Sequence, residues 1–118
     1  MVEVNLYTHL TNTPGITDLV DGRIYPLLAP ENCKTPFIVY QNISDVDQTS
    51  FQGDNYANKT RFQLDIYANK YIQAKELKSA VKIAMYDFKH FPHEFTSRDM
   101  YEKDTKLHRQ LIEFKINS

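Results

Sequence analysis

Between residues 60 and 69, Phe62, Leu64 and Ile66 alternate with Arg61, Gln63 and Asp65. Successive strand residues point to opposite faces, so this run gives a sheet one apolar and one polar side. The pattern suits an antiparallel sheet with one buried and one wet face. Residues 72–88 then change period. Ala74, Leu77, Val81, Ala84, Met85 and Phe88 fall within an arc of about 100° on a helical wheel. That stripe is expected to pack on the Phe62-Leu64-Ile66 face.

The other elements follow from weaker signals. Residues 2–10 read as a short helix, with Val2, Leu6 and Leu10 on one side beside Tyr7. Thr13 is placed to cap a second short helix, with Pro14 at its first position, where a missing N–H costs nothing. Ile16, Leu19 and Val20 are its expected buried side, and Asp21-Gly22 its turn. Residues 23–25 form a brief extended piece halted by Pro26, and residues 27–36 an ordered loop. Phe37-Ile38-Val39-Tyr40 opens a strand over residues 37–44. A polar connection covers residues 45–58. Residues 90–94 link the main helix to a closing hairpin, residues 96–102 and 108–117, turning at 103–106. In that last strand Ile112, Phe114 and Ile116 alternate with Glu113 and Lys115.

The expected fold class is α+β. An antiparallel sheet of about four strands, with a mixed sheet possible, is covered on one face by the main helix and an N-terminal helix. The order is α-β-β-α-β-β. The 118 residues fit one domain, 1–118. Area scaling allows about two-thirds of the unfolded surface to be buried, enough for one core and too little for a separate cofactor domain.

Composition excludes several functions. A net charge of −1 disfavours a strongly basic nucleic-acid binder. The single cysteine, Cys33, rules out an internal disulfide framework or a multi-cysteine zinc site. Residues 1–10 carry Glu3 and no long apolar run, so no signal peptide is expected. No apolar stretch approaches the 18 or so residues needed to span a bilayer.

Catalytic motifs are not found: no phosphate loop, nucleophile elbow, dinucleotide fingerprint or zinc-protease helix. His90 and His93 with Glu94 have ligand chemistry, but Pro92 between the histidines works against a helical site. Cys33 has no base placed near it by the sequence. The expectation is no catalytic residue, no metal and no cofactor. Asn42-Ile43-Ser44 and Asn58-Lys59-Thr60 match glycosylation acceptors, which need an export route.

Two features point toward contact surfaces. Ile72, Ile83 and Tyr86 lie at about 160°, 180° and 120° on the wheel with Ala74 at zero, opposite the core stripe. Either the N-terminal helices lie over them or another molecule does. The connection over residues 45–58 exceeds a normal hairpin loop and carries Phe51 and Tyr56. These aromatics suit a partner or their own sheet equally. Phe51, Tyr56, Ile72, Ile83 and Tyr86 are thus the candidate intersubunit or partner contacts.

One order of segments is specific. Arg23-Ile24-Tyr25-Pro26 precedes a proline-containing loop and Pro36-Phe37-Ile38-Val39-Tyr40-Gln41. Next come a glycine-containing loop, then Thr60-Arg61-Phe62-Gln63-Leu64-Asp65-Ile66-Tyr67-Ala68 and an amphipathic helix. Leu107-His108-Arg109-Gln110-Leu111-Ile112-Glu113-Phe114-Lys115-Ile116 closes the chain. From about residue 6 to 116 this resembles the tail completion (tail terminator) proteins of long-tailed bacteriophages and prophages. The resemblance implies a structural, non-enzymatic α+β subunit. It implies a homohexameric ring that caps the tail tube, stops its growth and takes part in head–tail joining. The implied partners are identical copies, the tail tube protein and the head–tail connector proteins. Phage DNA would pass through the lumen without specific binding, and no membrane is involved. The implied location is the virion tail or neck, after assembly in the host bacterial cytoplasm.

The physics of the sequence agrees with this. A ring needs two different patches per subunit that meet each other. Open sheet edges offer backbone groups for pairing. A nearly neutral chain suits a DNA conduit, because a basic lining would grip phosphates. Alternative readings are another connector or neck component, a ferredoxin-like binding or regulatory module, or an enzyme using Cys33 or the histidines.

Overall fold

The alternating run forms a central strand, and the amphipathic run lies on its apolar side. In the computed structural model, which describes residues 2–46, 59–90 and 92–117, the elements are α1 (Val2–Thr11), α2 (Pro14–Val20), β1 (Ile24–Pro26), β2 (Phe37–Val46), β3 (Lys59–Ala68), α3 (Tyr71–Tyr86), β4 (His93–Glu102) and β5 (Leu107–Asn117). The sheet order is β1-β2-β3-β5-β4. All neighbours are antiparallel except β1 and β2, which run parallel.

The helices occupy one face. Ala74, Leu77, Val81, Ala84 and Met85 of α3 are buried, and Phe88 just past the helix is buried with them. They meet Phe62, Leu64 and Ile66 of β3 and Ile112, Phe114 and Ile116 of β5, all inaccessible to solvent. Leu6 and Leu10 of α1 and Ile16 and Val20 of α2 complete the core. Each such side chain contributes about 1.5–3 kcal/mol on burial. Fold class and facing therefore agree with the periodicity.

The structure corrects several details. The sheet has five strands, because residues 24–26 join it beside β2. The segment over residues 27–36 supplies the crossover a parallel pair requires, which periodicity cannot reveal in a three-residue strand. Thr13 stands at the N-cap of α2 but does not cap it. Its Oγ1 donates to the His9 carbonyl at 2.8 Å, bonding back to the last turn of α1. Leu19 is exposed, since a seven-residue helix buries only the narrow Ile16–Val20 stripe. The connection after β2 is shorter than the polar run suggests, because Asp45 and Val46 still pair with β3. A bulge between Asn42 and Ser44 leaves Ile43 as the extra residue, turned outward. Strand β4 begins at His93, three residues early. An irregularity between His93 and Thr96, with Glu94 at φ 54°, lets the strand begin there.

The second face of the sheet is not uniformly wet. Phe37, Val39, Asp65 and Leu111 are buried there. Residues 27–35 stand beside that face and border a trough of about 960 Å³ with it. Backbone bonds hold this segment, including Leu27 N–H to the Tyr40 carbonyl at 2.9 Å. Arg23 Nε also donates to the Pro36 carbonyl at 3.0 Å.

Candidate assembly surface

Side chains on the outer side of α3 lie in the open. Ile72, Ile83 and Tyr86 are 65%, 66% and 67% exposed, so no described element covers them. The N-terminal helices pack elsewhere. His9 Nε2 lies 2.6 Å from the Ala84 carbonyl oxygen and the ring meets Phe88 at a tilt, 5.1 Å between centroids, tying α1 to the end of α3. Of the two explanations for the outer apolar residues, cover by α1 and α2 is therefore not what the fold provides. Phe51 and Tyr56 lie outside the described residues.

Lysines flank this apolar patch. Lys75, Lys78 and Lys82 recur at three- and four-residue steps, which places them along one side of the helix. Lys75 Nζ lies 3.1 Å from Asp99 of β4. Partial burial and the neighbouring Lys75 and Lys82 ammonium groups push Lys78 below the ordinary lysine value. Neither Lys78 nor Lys82 forms an ion pair among the described residues.

Asp99 anchors the start of α3 to the sheet. Gln110 Nε2 donates to it at 2.7 Å, Tyr71 Oη at 2.9 Å and Lys75 Nζ at 3.1 Å. These three donors, Gln110 foremost, hold its carboxyl down to about 2. At the other end of α3, the Tyr86 ring meets Phe95 of β4 edge-on at 6.0 Å. The lysine and aromatic side of α3 thus faces β4, at the far end of the sheet from β1 and β2. Strand β4 is itself an edge, and its outer backbone pairs with no described strand.

An ion-pair network lies in the trough on the other sheet face. Arg109 Nη2 and Nε each lie 2.9 Å from Asp65 Oδ1, and Gln63 Nε2 donates to Asp65 Oδ2 at 2.8 Å. Glu102 stands 3.6 Å from Arg109 Nη1, and the guanidinium lies over the Tyr67 ring. Within this network Asp65, Arg109 and Glu102 pair with one another. Sequence reading missed both the Asp99 anchor and the Asp65–Arg109 pair. The alternation placed Asp65 on the polar face, but its partner is 44 residues away.

The candidate chemistry residues are dispersed. Cys33 Sγ lies 3.7 Å from Tyr25 Oη, and its other polar contact is the Lys34 carbonyl. His90 contacts Asn5 at 3.1 Å and its ring meets Phe88 at a tilt, whereas Glu94 pairs with Lys115 at 2.7 Å. Among the described residues, no three His, Cys, Asp or Glu side chains gather as a metal site. No described helix is long and apolar enough to cross a membrane.

A family model described as Tail completion protein gp17 matches residues 4–117. The chain belongs to that family.

It is thus a structural protein of the phage tail. No curated protein matches the sequence significantly. Among solved structures, a chain of the "Virion of native gene transfer agent (GTA) particle" superposes with a TM-score of 0.78. The two are 13% identical, and the match covers 98% of this chain and 92% of that one, a likeness of fold. In this tail completion protein the Arg23-Ile24-Tyr25-Pro26 segment contains β1, and residues 60–68 lie in the central strand β3. Two segments that carry the resemblance therefore build the sheet, and the amphipathic helix that follows them is α3.

Proposed function

We propose that this tail completion protein, acting as one tail-terminator-like domain over residues 1–118, caps the tail tube as a ring of identical subunits. Six copies is the stoichiometry read from the family resemblance. The ring ends tube elongation and forms part of the head–tail joining surface, contacting the tube protein on one side and connector proteins on the other. It works by assembly, without a reaction or cofactor. Phage DNA passes through its lumen, and assembly takes place in the bacterial host before the ring becomes part of the virion.

The family match over residues 4–117 carries this reading. The physics supports it. A closed ring requires each subunit to offer two unlike patches. The exposed side of α3 and the open edge of β4 are unlike; no described residue covers the first, and no described strand pairs along the outside of the second. A net charge of −1 also suits a channel that must not hold phosphates.

The test is to polymerise the tail tube protein of the same phage with and without this chain, and to measure tube lengths by electron microscopy. Shorter tubes with added density at one end are expected. An unchanged length distribution with bare ends would overturn the capping role. Density on the connector alone would move the protein to another position in the neck.

A further inference from the structure

The most open apolar surface of this chain is gathered at two places. Among the described residues the most exposed large apolar side chains are Leu28 at 82% and Leu27 at 72%, with Tyr86, Ile83 and Ile72 next. The last three share the outer side of α3. The first two directly follow β1, on a strained backbone. Leu28 N–H donates to the Pro26 carbonyl at 2.6 Å, closing a three-residue turn around Leu27, whose φ is 64°. This is the strained form of the γ-turn, in a region of backbone space that favours glycine. The turn costs conformational energy and sets two leucines in water, so the single chain gains no burial from it. We infer that the Leu27–Leu28 turn of one copy docks on the outer side of α3 of the next copy, against Ile72, Ile83 and Tyr86.

The fold keeps the two patches of one chain apart. Leu27 N–H bonds to the Tyr40 carbonyl of β2, and Leu27 and Leu28 border the trough on the sheet face away from the helices. Helix α3 lies on the other face, with Lys75 and Tyr86 toward β4. Strands β1 and β4 are opposite edges of the sheet, four strand spacings or about 19 Å apart. The sheet itself therefore stands between the turn and its own α3. A second copy brings the two patches together without deforming either. Each chain carries one patch of each kind, so the contact is heterologous, and in a closed ring every turn and every helix side is covered once. A different protein seated on either patch would leave the other in water. Residues 27–35 carry one acidic and one basic side chain, Glu31 and Lys34, so Lys78 and Lys82 beside the helix patch meet no net repulsion. Burial of the leucine, isoleucine and tyrosine side chains supplies the affinity.

This inference rests on the ring reading, and a thiol crosslink tests the contact separately. With the native thiol removed by Cys33→Ser, one chain carries both Leu28→Cys and Ile83→Cys, and two controls carry one of them each. Thermal melting by circular dichroism checks that each variant folds, and light scattering with tube protein present reads its assembly. A short bis-maleimide crosslinker is then added, and the products are separated on a denaturing gel. The double variant is expected to give a ladder of linked chains up to the full ring, because each substituted turn meets a substituted helix of the next copy. Each control has one thiol per chain and is expected to stop at two linked chains or fewer. A second variant, Leu28→Asp, keeps the native cysteine. It is expected to melt like the wild type and to need a concentration higher by roughly 10- to 100-fold for half-assembly, because a carboxylate must then be desolvated at every contact.

Rings of the double variant that yield no ladder would overturn the contact while leaving the ring in place. Leu28→Asp chains that assemble as well as the wild type would do the same. Leu28→Asp rings that form normally but no longer hold the tube would assign the turn to the tube protein instead. A wild-type chain that stays monomeric even with tube protein removes the ring and this contact together.

Discussion

Helix α3 carries two apolar sides with opposite fates. Ala74, Leu77, Val81, Ala84 and Met85 are sealed against β3 and β5, while Ile72, Ile83 and Tyr86 remain open. Residue type does not separate them, since isoleucine and tyrosine are as apolar as much of the buried set. Position does. The inner stripe is matched by an apolar sheet face, and the outer residues by nothing in the described chain. The inner side therefore supplies folding energy, and the outer side leaves apolar surface in water that the proposed ring would bury.

The largest expected effect comes from the buried partner of the inner side. Leu64→Asp places an unpaired carboxylate between sheet and helix. This costs about 4 kcal/mol or more, comparable with the whole stability of a small domain. Loss of the cooperative thermal transition is expected, and a wild-type melt would show the inner side to be misassigned.

Ile83→Asp should separate the two sides most clearly. The single chain should melt within about 0.5 kcal/mol of the wild type, as exposed substitutions do. Its assembly should fail, because the new charge must be desolvated at the contact. Unfolding of this variant would erase the distinction, and undiminished assembly would leave the outer side without a role.

The smallest effect concerns the anchor between the sides. Asp99 is charged in the folded protein down to about pH 2, because Gln110, Tyr71 and Lys75 donate to it. In the unfolded chain it takes up a proton near the ordinary aspartate value of about 3.9. Its stabilising contribution is therefore present above that value and is lost as pH falls toward 2. Asp99→Asn should flatten this part of the acid limb in melts recorded between pH 2 and 5. Parallel pH profiles for the variant and the wild type would contradict the anchoring role.

The same contrast explains what the sequence disclosed. Long periodic segments such as residues 60–69 and 72–88 were legible, because each repeats one physical choice many times. The closing hairpin was legible for the same reason, through Ile112, Phe114 and Ile116. Short elements were less so. Strand β1 has three residues, and its parallel pairing depends on how residues 27–36 return the chain. Leu19 looked like a core residue because a two-turn helix gives too few positions to fix its facing. Of the candidate contacts, Ile72, Ile83 and Tyr86 were legible as residues out of phase with the core. The Asp99 anchor was not, because it joins β4, β5 and α3, whose alignment only the fold supplies. The same holds for Asp65 and Arg109, which meet only once β3 and β5 are in register.

The most direct test of assembly is the solution mass of the wild-type chain. Light scattering over a concentration series, with and without tail tube protein, reads it without any variant. A species near six times the 13.9 kDa chain mass, alone or on the tube, is the result this account predicts. A monomer or dimer that ignores the tube at every concentration would contradict it, and would favour a small binding module with a similar fold.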